Sequence, residues 1–138
     1  MGITQVSADL SFSYPGFRSL RKWINRVIQD ENFATGEVTI VFCTDEYLYS
    51  VNKKYLQHDY YTDIITFDNT ENNVIGGDVL ISVDRVRDNA GLYGEDFKKE
   101  LDRVILHGIL HMAGYADSDE ESKRNMRMKE NFYLEYRY

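Results

Sequence analysis

The chain has 138 residues, of which 43% are hydrophobic and 28% charged, and its formal net charge is −7. Length and composition fit one globular domain over residues 1–138 and exclude a disordered chain. Because the negative charge repels nucleic-acid phosphates at long range, any RNA-binding role requires a local group of cations.

The start of the chain and its cysteine content predict the compartment. The first ten residues, MGITQVSADL, contain neither the basic region nor the apolar region of a secretory signal. A solitary Cys43 cannot form an intramolecular disulfide. Apolar runs stay far below the roughly 20 residues that span a bilayer. We therefore expect a cytoplasmic protein with no membrane partner.

The first half of the chain predicts two strand–helix pairs. Residues 3–12 partly alternate as a strand does, and residues 15–32 carry apolar side chains at helical spacing. Residues 37–44 are rich in β-branched and aromatic side chains, which favours a strand. Thr44 can cap a following helix over residues 45–56.

The second half predicts a hairpin followed by helices. Residues 63–68 and 77–83 read as strands, and the segment TENNVIG between them suits a turn. Three helical stretches follow, over residues 83–93, 96–113 and 118–136.

Helix boundaries and element order complete the fold prediction. Gly94 and Gly114 suit helix ends, and Ser118 with Glu121 fits a capping box at the start of the last helix. Strands come early and helices dominate late. This order predicts an α+β domain in which a small mixed sheet of about four strands, one of them antiparallel, packs against several helices.

The segment HGILHMAGYAD, residues 107–117, predicts a metal site. His107 and His111 are one helical turn apart, so their imidazoles share a face and can bind the same ion. Gly114 can end the helix and turn the chain back, which brings the Asp117 carboxylate toward the same ion. Three protein ligands leave a position for water, as in catalytic zinc sites.

Other interpretations of these residues exist. Two histidines four residues apart on a helix are often ordinary core or surface residues, and Asp117 can serve the following helix by its charge alone. Gly108 stands where the H-E-x-x-H metalloprotease signature carries its glutamate base, which argues against peptidase activity. The spacing still matches the longer metzincin pattern of ligands.

Three segments together resemble the YbeY family of bacterial rRNA-maturation factors. They are HGILHMAGY (residues 107–115), TDIITF (residues 62–67) and GDVLIS (residues 77–82). The resemblance implies a zincin-like fold, one zinc ion per chain and a metal-dependent, single-strand-specific endoribonuclease. It also implies maturation of the 3′ end of small-subunit rRNA and ribosome quality control, with the small ribosomal subunit and an assembly GTPase as partners.

The sequence departs from the family pattern at two positions. Asp117 stands where the family usually carries a third histidine, which adds negative charge and can change metal preference. Leu56 stands where an arginine usually follows the N-x-x-Y segment, so a phosphate contact is missing. Other cations can replace it. The candidate RNA contacts are Lys53, Lys54, His58 and Arg85.

The mechanistic hypothesis is metal-assisted hydrolysis, in which the ion activates water and polarises a phosphodiester oxygen. The sequence assigns no catalytic side chain beyond the ligands. Asp63 and Asp78, at strand ends, can orient a ligand histidine or merely cap turns.

Two other functions fit the same ligands. Two histidines and one carboxylate also form the facial triad of non-haem Fe(II) oxygenases, and other metal-dependent hydrolases use such a set. A non-catalytic ribosome-assembly factor with a structural metal fits the net negative charge and Leu56.

Overall fold

The structure, a computed structural model of the chain, describes residues 2–137 and contains one four-stranded sheet. Its strand order is β1-β2-β4-β3, with β1, β2 and β4 mutually parallel and β3 antiparallel to β4. This confirms the predicted α+β fold and its one antiparallel strand. The strands are β1 (Ile3–Ser7), β2 (Ala34–Cys43), β3 (Ile64–Asp68) and β4 (Val74–Ser82).

Five helices surround the sheet on two faces. The larger core lies between one face and helices α1, α3, α4 and α5, while α2 covers the other face with a smaller cluster that includes Cys43 and Leu48. Across residues 2–137, no helix has both the length and the apolar character required to cross a bilayer. The helices are α1 (Phe17–Asp30), α2 (Asp45–Leu56), α3 (Val83–Tyr93), α4 (Phe97–Met112) and α5 (Glu120–Leu134).

Helix α4 lies at the centre of the larger core and carries a buried charge. Asp102 is fully buried, and it accepts hydrogen bonds from the Tyr14 hydroxyl and the Arg137 guanidinium. Because an unpaired carboxylate is costly in the interior, these two donors hold the segment before α1 and the C-terminal segment against α4. Both segments are thereby held against the N-terminal half of α4.

The predicted first strand is wrong beyond Ser7, because the chain makes one more hydrogen bond to β2, from the Ala8 N–H to the Phe42 carbonyl, and then leaves the sheet. The Asp9 carboxylate instead accepts a hydrogen bond from the Thr44 backbone N–H at 2.9 Å, at the start of α2. The side chain of Thr44 caps that helix as predicted, by accepting from the Tyr47 N–H.

Strands β2 and β4 both begin three residues earlier than predicted. Asn72 and Asn73 adopt positive φ angles of 54° and 61°, which makes a tighter turn than the seven-residue loop expected. Residues 34–35 then pair with residues 74–75 before an irregularity in the register.

The predicted capping box of the last helix is also shifted by one residue. Asp119, rather than Ser118, is the N-cap of α5, and its partner is Ser122 rather than Glu121. The two side chains satisfy each other's backbone N–H groups.

Candidate metal centre

Helix α4 presents two imidazoles on the same face. Its opposite side packs into the core, and His107 and His111 project where α4 passes the edge strand β3. Their ring centroids are 4.8 Å apart with the planes inclined at 80°. Because the rings are neither parallel nor stacked, their Nε2 atoms can converge on a common point.

The turn after α4 brings a carboxylate to the same point. Gly114 has a φ of 102°, a backbone conformation that side chains other than glycine rarely adopt. The chain then reverses, and the Asp117 Oδ2 and Oδ1 atoms lie 3.1 Å from His107 Nε2 and 3.5 Å from His111 Nε2. The structure thus brings together the three predicted ligands.

These three side chains suit a transition-metal ion. One ligand atom from each of His107, His111 and Asp117 lies within 4.8 Å of the other two, and within residues 2–137 this is the group of such side chains that fits an ion. Two imidazole nitrogens and a carboxylate oxygen match the ligand types of catalytic zinc sites. Asp117 is 41% exposed, so the site is open to a substrate.

Sequence reasoning missed Glu130, which orients one of the imidazoles. Its Oε2 atom lies 2.7 Å from His107 Nδ1, and its Oε1 atom accepts a hydrogen bond from Arg103 Nη1 at 3.1 Å. A carboxylate at Nδ1 fixes the tautomer whose Nε2 faces the site. A signal existed, because Glu130 lies on the buried face of α5 with Met126 and Tyr133.

Burial and neighbouring charges act in opposite directions on the pKa of His107 and on that of Asp63. Burial lowers the pKa of His107, but Glu130, by hydrogen bond and charge, and Asp117 outweigh that effect and raise the pKa above its ordinary value. For Asp63, burial raises the pKa more than the nearby charges of His107 and Arg85 lower it. Both pKa values are therefore raised, that of His107 by its acidic neighbours and that of Asp63 by burial.

The two predicted orienting aspartates lie in different places. Asp63 lines the cleft that contains His107 and His111, and its backbone carbonyl accepts a hydrogen bond from the Ser82 N–H. Asp78 is exposed and lines a separate cavity near the β3–β4 turn. Their role as partners of a ligand histidine stays a prediction.

The four candidate RNA contacts are also separated. His58 lines the cleft of the metal centre, as does Leu56. Arg85 makes two hydrogen bonds to Asp45, with Nη2–Oδ2 at 2.7 Å and Nε–Oδ1 at 3.2 Å, so its charge is already paired. The other two candidates, Lys53 and Lys54, are exposed in the last turn of α2.

Comparison with known proteins assigns the family. The family model described as "Endoribonuclease YbeY" matches residues 11–137. This chain belongs to the YbeY family. The match includes both histidines, Asp117 and Glu130, so the whole centre lies within the family region.

Curated YbeY relatives cover most of the chain. An "Endoribonuclease YbeY" of Christiangramia forsetii is 48% identical over 80% of this chain and 77% of its own length. That of Parabacteroides distasonis is 43% identical over 95% of this chain and 92% of its own length. The solution structure of TM1509 from Thermotoga maritima has a TM-score of 0.67 at 25% identity, covering 97% of this chain and 86% of that one.

Proposed function

We propose that this YbeY-family chain is a zinc-dependent endoribonuclease acting as a single domain over residues 1–138. The observation that carries the proposal is the convergence of His107, His111 and Asp117 in a cleft open to solvent. Relatives at 43–48% identity carry the name endoribonuclease. From the resemblance, the substrate is single-stranded ribosomal RNA, matured at the 3′ end of the small-subunit rRNA during ribosome assembly and quality control.

The partners and place of action follow the same resemblance. The small ribosomal subunit and an assembly GTPase are the proposed partners, and the cytoplasm is the proposed compartment. The metal is one zinc ion per chain, held by His107, His111 and Asp117. When bound, such an ion supplies an activated water and polarises a phosphodiester oxygen.

Two further side chains of the protein orient the ligand His107. Glu130 holds the proton of His107 on Nδ1 and so keeps Nε2 free to bind the ion. Arg103 pairs with the second oxygen of Glu130 and fixes the direction of that carboxylate. The positions of both groups are set by α4 and α5, so the ligand geometry is prepared before substrate arrives.

Among the four candidate RNA contacts, the two lysines are the ones that can bind phosphates flanking the reacting one. Since Arg85 is paired with Asp45, the lysines on α2 are the more available of the proposed cations. Lys53 and Lys54 lie in the last turn of α2, at the start of the segment that lines the cleft. They would hold flanking phosphates rather than the reacting one.

Metal analysis combined with an RNA cleavage assay tests the proposal. We expect one zinc per chain in untreated protein, cleavage of a single-stranded RNA, and loss of both in His111→Ala. Glu121→Ala, at an exposed position on α5 outside the cavities that contain the candidate ligands, serves as the matched control. Zinc without cleavage would indicate a structural metal in a ribosome-assembly factor, and iron with oxygen-dependent turnover would indicate an oxygenase; either result overturns the proposal.

A further inference from the structure

The segment after α2 is held in a defined path beside the metal centre. Gln57 has a φ of 57°, which ends the helix, and the His58 N–H donates to the Asn52 carbonyl at 3.1 Å. The side-chain amide of Asn52, which is only 2% exposed, donates to the Tyr60 carbonyl at 3.0 Å. One buried residue therefore fixes the backbone at both ends of this short loop.

The fixed loop presents two stacked rings to the cleft. The centroids of His58 and Tyr60 are 5.1 Å apart with their planes inclined at only 16°, and His58 Nδ1 lies 2.9 Å from the Tyr60 hydroxyl. Tyr60 is nevertheless 54% exposed, and His58 is exposed as well. Both line the same cleft as His107, His111 and Asp117.

A second stacked pair of rings, near the cleft, already contacts cations of the protein. Tyr49 and Tyr61 have centroids 4.5 Å apart, with Lys53 at 5.9 Å over the first ring and Arg85 at 5.4 Å over the second. These rings already have cationic partners. Among residues 2–137, no cation lies over the ring of Tyr60.

The charge of the cleft points to base contacts rather than phosphate contacts at this position. The described residues that line it include three aspartates, Asp63, Asp68 and Asp117, and no lysine or arginine. Away from the proposed ion such a wall repels phosphates, whereas an uncharged base can stack on an aromatic ring. The aromatic pair supplies affinity where cations are missing.

We propose that the His58–Tyr60 pair is a binding subsite for one base of single-stranded RNA, next to the metal centre. The inference rests on the proposed function, because it assigns a contact for that substrate. Stacking requires a base that is not paired with another base. It accepts all four bases, because each has an aromatic face. The subsite therefore selects for unpaired RNA with little sequence preference, and Asn52 is a positioning residue for it.

Abasic scanning of a short RNA tests the subsite. Fluorescently labelled octanucleotides, each lacking one base, are titrated with the zinc-loaded protein in the cold, and a denaturing gel checks that they stay intact. We expect one abasic position to weaken binding about 10-fold. Tyr60→Ala should weaken binding of the intact RNA by about the same factor and abolish the penalty at that abasic position.

Matched variants separate stacking from damage to the fold. Tyr60→Phe keeps the ring and should keep both the affinity and the abasic penalty, while His58→Ala should reduce both. Phe132→Ala is the control, because Phe132 is 57% exposed and lies outside this cleft on α5. Binding that is indifferent to every base removal, or an abasic penalty that survives in Tyr60→Ala, overturns the subsite.

The subsite and the nuclease proposal fail in different ways. RNA that binds with the expected abasic penalty but is never cut removes the nuclease proposal and leaves the subsite in place. RNA that is cut but shows no abasic penalty removes only the subsite.

Discussion

Replacing Glu130 by glutamine should weaken zinc binding without removing a zinc ligand. The carboxylate accepts from His107 Nδ1 at 2.7 Å and from Arg103 Nη1 at 3.1 Å. An amide has one oxygen for these two donors, so its NH₂ group must face one of them. The oriented imidazole or the guanidinium then loses a charge-assisted hydrogen bond.

The expected loss follows from the contribution of such orienting groups. Mutation of a hydrogen-bond partner of a ligand histidine costs about 10- to 100-fold in metal affinity, which is roughly 1.4–2.7 kcal/mol. A competition titration with a chromophoric zinc chelator at neutral pH measures this directly. Glu121→Gln, an exposed glutamate on the same helix, is the control and should bind zinc as the wild type does. Unchanged zinc affinity in a folded Glu130→Gln protein would refute the orienting role.

Three further predictions concern stability and reactivity. Burial alone would raise the pKa of Glu31, but hydrogen bonds from Tyr133, Tyr115 and Lys129 outweigh it and hold that pKa below the ordinary 4.5. The ionised carboxylate therefore stabilises the fold above pH 4.5, and this stabilisation is lost as the pH falls through the lowered pKa. Glu31→Gln should therefore lower the free energy of unfolding by about 1–3 kcal/mol at neutral pH. Urea titrations should show a smaller difference in unfolding free energy between wild type and variant in acid, and an equal difference at both pH values would contradict the assignment. Burial, and to a smaller extent three nearby aspartates, raises the pKa of the Cys43 thiol from 9.0 to about 12. Iodoacetamide should therefore react about 1000-fold more slowly with the folded than with the unfolded chain in mild alkali. Rapid labelling of the folded protein would contradict this, because it would show that the thiol is accessible. Gly108→Ala should destabilise the fold by about 1–3 kcal/mol, because the new Cβ would lie 2.9 Å from Val79 Cγ1. Gly91→Ala, where a Cβ meets nothing within 4 Å, is its control in the same unfolding experiment and should be neutral or stabilising.

The candidate metal centre was accessible to sequence reasoning because its three candidate ligands lie within eleven residues. Helical spacing fixes the relation of His107 to His111, and Gly114 fixes the turn that returns Asp117. Each inference needs only local geometry. The predicted helix over residues 96–113 accordingly matches α4 to within one residue at each end.

Contacts between distant segments were not accessible in the same way. Glu130 meets His107 only because α5 packs on α4, and the stacking of His58 on Tyr60 depends on a loop path set by Asn52. No local rule sets the distance between two helices. Strand ends were misplaced for a related reason, since the start of β2 is decided by its pairing with residues 74–75.

The ligands of the proposed ion belong to segments of very different local stability. His107 and His111 are part of a helix at the centre of the core, anchored by the buried Asp102, whereas Asp117 lies in an open turn. Hydrogen exchange should accordingly be slow along the helix and fast around the carboxylate. A departing ion would then lose its bond to Asp117 first. The rate of metal exchange would therefore depend on the motion of that turn and not on unfolding of the whole protein.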